Sequence, residues 1–155
     1  MTAALFFAYG DPLFLNMQPA LNAALEQSHA VHIIPRPVFG DTDSSALAAL
    51  FVYSAGRQGR FDKAHRLLAG RYRALDDAAV TELAQTLDLD MERLQADMKD
   101  PALQALIRKN ERYVKVLRMR ALPAFLVNGR ILWSITGQVP SASDIRAVIE
   151  EGKLR

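Results

Sequence analysis

The order of strand and helix signals near the amino terminus constrains the fold of this chain more than any other feature. Residues 5–9 form a short aromatic and aliphatic run that is typical of a buried strand. Asp11 suits a helix N-cap and Pro12 suits the first helical position, so a helix is predicted over residues 12–27. Residues 30–34 predict a second strand. Because a helix joins these two strands, they should lie parallel, with a right-handed crossover.

The rest of the chain adds a block of helices and then a hairpin. Residues 44–118 carry helical periodicity with aspartates at cap positions, which predicts about five helices. Residues 124–127 and 130–135 read as strands, and the Asn-Gly pair at 128–129 between them is a strong hairpin signal. The predicted fold class is therefore α/β, with a mixed four-stranded sheet covered by helices. Ser141 is expected to cap a last helix.

Length and composition favour one globular domain. A chain of 155 residues can bury roughly two-thirds of its unfolded surface without a covalent staple. We predict a single domain over residues 1–155, with a sheet core at 3–40 and 119–152 and a helical insertion at 44–118. The formal charge of +2 does not indicate a nucleic-acid partner, and no apolar run is long enough to predict insertion into a membrane.

The chain contains no cysteine, which excludes disulfides, thiol catalysis and thiolate metal sites within it. This composition leaves the compartment open. The first residues lack a basic leader and soon reach Asp11 and Pro12, so they do not read as a signal peptide. The location is periplasmic if a signal peptide was removed from a longer form, and otherwise cytoplasmic.

Two segments resemble the DsbA-type thiol–disulfide oxidoreductases. Residues 7–14, Phe-Ala-Tyr-Gly-Asp-Pro-Leu-Phe, are similar to the Phe-x-Tyr-x-Cys-Pro-x-Cys run at the active-site entry of that family. Residues 122–129, Leu-Pro-Ala-Phe-Leu-Val-Asn-Gly, resemble its second mark, a cis-proline before a strand and an Asn-Gly turn. The resemblance implies a thioredoxin-like fold with a helical insertion, and it places Pro123 at the cis-proline position.

The chain departs from this family at both cysteine positions, which Asp11 and Phe14 occupy. A thiolate is the nucleophile of disulfide exchange, so the resemblance implies a redox-inactive relative with no catalytic residue to carry across. A carboxylate at a helix N-terminus is stabilised in its charged form, which suits capping better than general base catalysis. The sequence therefore leans against an enzyme and predicts no cofactor.

A protein of this fold without thiols can still bind a partner in the groove beside the turn. We expect a groove formed by Asp11, Pro12, Leu13 and Phe14 and by the loop at Leu122 and Pro123 to hold an extended segment of a partner protein, as a scaffold or a chaperone does. The ring of Phe14 has two interpretations, because it either fills core space or forms part of an apolar contact patch.

A second hypothesis is a glutathione-binding transferase or isomerase of the kappa-class type, which is similar in fold. Those enzymes usually have a serine before the proline of this turn. Here Asp11 takes that place, and its carboxylate would repel a glutathione thiolate.

A third hypothesis is that residues 108–120, with six basic residues against one acid, bind polyanions. A solvated face opposite a buried stripe of Leu103, Leu106, Val114 and Leu117 is the plainer interpretation.

The histidines and the tryptophan give weaker signals. His29 and His32 fall at odd spacing on a predicted strand, and His65 has no evident partner in the sequence, so no metal site is predicted. Trp133 is expected to pack between sheet and helix.

Overall fold

The computed structural model describes residues 2–28, 31–135 and 137–153. Four strands and seven helices are present in this part of the chain. In order they are β1 (Thr2–Phe7), α1 (Pro12–Glu26), β2 (His32–Pro37), α2 (Asp43–Arg57), α3 (Phe61–Ala69), α4 (Asp77–Thr86), α5 (Met91–Met98), α6 (Pro101–Val116), β3 (Ala124–Val127), β4 (Arg130–Ser134) and α7 (Ala142–Lys153).

The strands form one mixed four-stranded sheet, as predicted, and their order in it is β2-β1-β3-β4. β1 pairs in parallel with β2 and antiparallel with β3, and β3 pairs antiparallel with β4. Phe6 lies opposite Ala124, so the strand after Pro123 runs directly beside the strand that leads to Asp11. The α/β class with a helical insertion between β2 and β3 is confirmed, whereas the domain boundaries at 3–40, 44–118 and 119–152 stay a prediction.

The second strand lies later in the chain than predicted. Residues 30–34 were the expected strand, but β2 continues through Pro35, which pairs with Leu5, to Pro37, which pairs with Phe7. β2 is an edge strand of the sheet, and an edge tolerates proline because one side of the strand needs no ladder hydrogen bonds. Ala30 lies outside the described residues.

The two faces of the sheet carry cores of different size. Leu5 and Phe7 of β1 and Phe125 of β3 belong to the main core, together with buried residues of α1, α2, α3 and α7. Phe6 and Ala124 point to the opposite face, where Met119 completes a small second core. Half-buried residues pack against that second core: Ala4, Val114, Leu117, Leu122 and Leu126.

Most helices begin at the polar residues that the sequence indicates. Asp76, Asp90 and Asp100 each accept a backbone N–H of the first turn of α4, α5 and α6. At α7 the predicted capping box is present. Ser141 N donates to Asp144 at 2.9 Å, and Asp144 N donates to Ser141 Oγ at 3.2 Å.

The buried side of α6 differs from the predicted stripe at one position. Leu106 was expected in the core but is 48% exposed, whereas Leu103, Ile107 and Asn110 are buried. The side chain of Asn110 accounts for this rotation, because its Nδ2 donates to the Pro37 carbonyl at 2.9 Å and to the Tyr53 hydroxyl at 2.8 Å. A buried amide needs such partners, so it fixes which side of α6 faces β2 and α2.

Candidate binding cleft beside the first turn of α1

The first turn of α1 is closed by a side chain from the preceding loop. Asp11 has an extended backbone, and its Oδ1 accepts the N–H groups of Leu13 at 2.7 Å and Phe14 at 3.1 Å. Gly10 precedes it with a φ of +81°, a left-handed conformation that glycine adopts without strain. The predicted capping role of Asp11 is confirmed, and the carboxylate occupies two of the donors that the helix N-terminus presents.

The second predicted segment lies beside this turn. The Leu122–Pro123 peptide bond is cis, Pro123 is buried, and Leu122 is half-buried. The carbonyl oxygen of Pro123 accepts the N–H of Ile135 at 2.9 Å, which ties the start of β3 to the end of β4. These contacts hold the loop against the sheet.

A cleft of about 800 Å³ opens between these two segments and the helical insertion. Asp11, Pro12 and Leu122 line it, so the structure brings these three predicted residues together. Its lining does not include Leu13, Phe14 or Pro123. The other walls come from three further regions: the loop before α2, the loop between α3 and α4, and one side of α6.

Phe14 belongs to the core and not to the cleft. Its side chain is 0% exposed, and its ring stacks on Phe7 with centroids 4.0 Å apart and an interplanar angle of 7°. Tyr9 meets the same ring edge-on at 6.1 Å. Of the two interpretations of this ring, the structure therefore selects core packing over a surface patch.

His65 has a partner that the sequence did not indicate. Its Nδ1 lies 2.7 Å from the hydroxyl of Tyr9, and its ring packs between Phe7 and Phe61. Burial lowers the pKa of His65 to about 4, and burial also raises the pKa of Tyr9 above its usual value. The sequence shows no evident partner for His65, because the bond joins residues that are 56 positions apart and no local pattern reports it.

The loop between α3 and α4 gives the cleft an exposed aromatic rim. Tyr72 is 70% exposed, and its hydroxyl donates to Asn16 Oδ1 in α1 at 3.2 Å. Arg71 and Arg73 flank it, and the Nε of Arg71 donates to the carbonyl of Arg73 at 3.1 Å. Tyr72 was not among the predicted site residues. Its position between two arginines was the only signal available in the sequence.

The wall next to α2 is closely packed. Gly40 has a φ of +74°, and a Cβ placed on it would lie 2.5 Å from Ser45 Oγ. The hydroxyl of Ser45 is buried and has no hydrogen-bond partner within the described residues. On the α6 side, the carboxylate of Glu111 accepts the N–H of Phe39 at 3.2 Å. The cleft is thus lined by apolar, hydroxyl and charged groups, a mixture typical of a binding site.

The remaining sequence signals do not converge on a second site. Among residues 2–28, 31–135 and 137–153, no three His, Asp or Glu side chains lie close enough to hold a metal ion. His32 is exposed on β2, and His29 falls outside the described residues. The side chain of Trp133 also lies outside the described part. None of the helices described here is both long and apolar enough to span a bilayer.

The family of the chain follows from comparison with known proteins. A sequence profile of the DSBA-like thioredoxin domain matches residues 16–145. The chain therefore belongs to the DSBA-like thioredoxin domain family. The matched region includes Pro123 but begins just after the turn that holds Asp11 and Phe14. No curated protein sequence matches the chain.

Solved structures agree with this assignment at the level of the fold. The chain is similar to a thioredoxin-like oxidoreductase from Silicibacter pomeroyi DSS-3, with 21% identity, a TM-score of 0.86, and coverage of 99% of this chain and 87% of the other. It is also similar to Proteus mirabilis ScsC in a compact conformation, with 19% identity, a TM-score of 0.82, and coverage of 99% and 84%. It is similar as well to the thiol-disulfide exchange protein alpha-DsbA2 from Wolbachia pipientis, with 14% identity, a TM-score of 0.81, and coverage of 97% of this chain and 80% of the other.

Proposed function

We propose that this chain is a redox-inactive member of its family that binds an extended segment of a partner protein. The binding site is the cleft beside Asp11, Pro12 and Leu122. One observation carries the proposal: a cleft of about 800 Å³ lies at the turn where the family places its cysteines, in a chain that has no cysteine. Thiol exchange needs a thiolate, whereas binding in a cleft does not.

The walls of the cleft support this function. Leu122 and Pro12 provide apolar contact area, and Tyr72 is an exposed aromatic ring at the rim, a residue type that often anchors interfaces. Asp11 is held by its own backbone contacts and does not need a ligand to satisfy it. The cleft therefore offers shape and apolar surface, with charged side chains at its edge.

The experiment fills the cleft without disturbing the core. Ala74 is exposed and lines the cleft, whereas Ala78 is exposed in α4 and lies outside the lining. Ala74→Trp and Ala78→Trp are therefore matched variants. We expect Ala74→Trp to weaken binding of fluorescein-labelled extended peptides by about tenfold, which corresponds to about 1.4 kcal/mol. The change for Ala78→Trp should stay within about twofold, as measured by fluorescence anisotropy.

Three outcomes would contradict the proposal. The first is an absence of peptide binding, and the second is an equal loss of binding in the two tryptophan variants. The third is reduction of insulin disulfides by the chain above the rate in buffer with the same reductant, because a chain without thiols should leave that rate unchanged.

The glutathione hypothesis is disfavoured by the first turn of α1. A thiolate at this position would need donors, but the carboxylate of Asp11 already accepts the N–H groups of Leu13 and Phe14. The Asp11 carboxylate would also place a negative charge beside the sulfur, and the two like charges would repel each other. Calorimetric titration with reduced glutathione is expected to show no binding heat, and saturable binding would revive this hypothesis.

A further inference from the structure

Helix α6 presents an exposed apolar stripe that faces away from the cleft. Leu106 is 48% exposed, Tyr113 is 41% exposed and Val116 is 69% exposed. Their spacing of seven and three residues places them on one side of a helix, with Lys109 between them. We call these four residues the α6 stripe. Glu111 and Val114, which line the cleft, lie on other sides of the same helix, so a partner on the stripe would leave the cleft open.

The stripe borders the small second core of the sheet. The ring of Tyr113 meets Phe6 of β1 edge-on, with centroids 6.4 Å apart. Phe6 belongs to the face on which Ala4 and Leu126 are only half-buried. The exposed apolar surface therefore continues from α6 toward the sheet, which makes it broader than three separate side chains.

The second half of α6 and the residues just after it are mostly basic. Six of the thirteen residues from Arg108 to Arg120 are basic, and the only acid is Glu111. Glu111 is half-buried and accepts the N–H of Phe39, so it points toward the cleft side. The ion pairs that the structure shows among the described residues join Arg57 to Asp97 and Asp100, and none of them includes one of these six cations.

We propose that the α6 stripe docks an acidic amphipathic segment of a partner protein. Apolar side chains of that segment would cover Leu106, Tyr113 and Val116, while its carboxylates would pair with Lys109 and Arg112. Charge complementarity is the argument for this occupant, because Lys109 lies within the apolar stripe and Arg112 lies beside it, and neither forms an ion pair among the described residues. The site is separate from the cleft and does not depend on the function proposed for it.

Two other occupants fit less well. A second copy of the chain would bring the same basic helix against itself across a two-fold axis, and like charges in contact oppose association. A nucleic acid would use the cations but would gain little from Leu106 and Val116, which are aliphatic and cannot stack on bases as aromatic rings do. A protein segment uses both features.

The test compares two stripe variants with a matched control. Leu106→Asp and Val116→Asp place one carboxylate on the stripe, and Leu67→Asp places one on the exposed surface of α3, so all three change the charge equally. The probe is a fluorescein-labelled synthetic peptide about four helical turns long, with leucines along one side and glutamates along its flanks. Polyglutamate, duplex DNA and a scrambled peptide of the same composition are the comparison probes.

We expect the amphipathic peptide to bind more tightly than the three comparison probes. Each stripe variant should weaken this binding by about tenfold or more, whereas Leu67→Asp should change it by less than about twofold. Circular dichroism should show equal helicity in all three variants. Equal losses in the three variants, or no binding at all, would overturn the proposal. Binding of DNA or polyglutamate as tight as that of the amphipathic peptide would replace it with a polyanion site.

Discussion

The two sides of the first turn of α1 differ in what holds them in place. On the surface side, Asp11 makes contacts within three residues of itself, to the N–H groups of Leu13 and Phe14. On the buried side, Phe14 stacks on Phe7, and Tyr9 reaches His65 in another part of the chain. The surface side is thus fixed locally, whereas the buried side is fixed by tertiary packing.

The two positions that correspond to the cysteines of the family motif therefore lie in different environments. The position of the first cysteine in the family motif lies at the helix N-terminus, where a capping carboxylate satisfies the backbone. The position of the second cysteine points into the core, where an aromatic ring fills space. Each substitution suits its own environment. The three predictions that follow test whether the buried side contributes more to the free energy of unfolding than the surface side does.

The largest expected effect is on the buried side, at Phe14. Phe14→Ala removes a fully buried ring that stacks on Phe7 at 4.0 Å, so we expect the free energy of unfolding to fall by about 3–5 kcal/mol. Urea denaturation followed by circular dichroism measures this change. The control is Tyr72→Ala at the exposed rim of the cleft, with an expected loss of less than about 0.5 kcal/mol. Similar losses in the two variants would contradict the buried position of Phe14.

A slightly smaller effect should come from protonation of His65. Its pKa is about 4 in the folded chain and near 6.5 when unfolded, so between these values the unfolded state binds more protons. The free energy of unfolding should therefore fall as the pH drops from about 6.5 to 4, with a contribution from His65 of about 3 kcal/mol. Burial is the main cause of the lowered pKa, and neighbouring Asp62 and Arg66 act in opposite directions.

Other carboxylates titrate in the same range, so the measurement is a difference between two proteins. His65→Gln removes the titrating ring, and its free energy of unfolding should depend less on pH than that of the original chain between pH 4 and 6.5. Urea denaturation at a series of pH values gives both curves. Two curves of the same slope would show that His65 is not protected from protonation in the folded chain.

The distinction between local contacts and tertiary packing also explains which features the sequence could predict. The cap at Asp11, the capping box at Ser141 and the hairpin of β3 and β4 follow from local patterns, and all three were predicted correctly. The partner of His65 and the rotation of α6 about Asn110 depend on residues more than fifty positions away, and local patterns carry no signal for them. The place of Phe14 stayed open for the same reason, because its type fits both a core and a surface patch.

The smallest expected effect is on the surface side, at Asp11. Asp11→Ala leaves the N–H groups of Leu13 and Phe14 without their acceptor, so the free energy of unfolding should fall by about 1 kcal/mol. Asp11→Asn is the matched control, because asparagine caps about as well and should cost only a few tenths of a kcal/mol. If Asp11→Ala instead stabilises the chain, the carboxylate is held at this turn at a cost to stability. That result would point to a role in contacting the partner in the cleft, whereas a loss near 1 kcal/mol assigns Asp11 to the architecture of the turn.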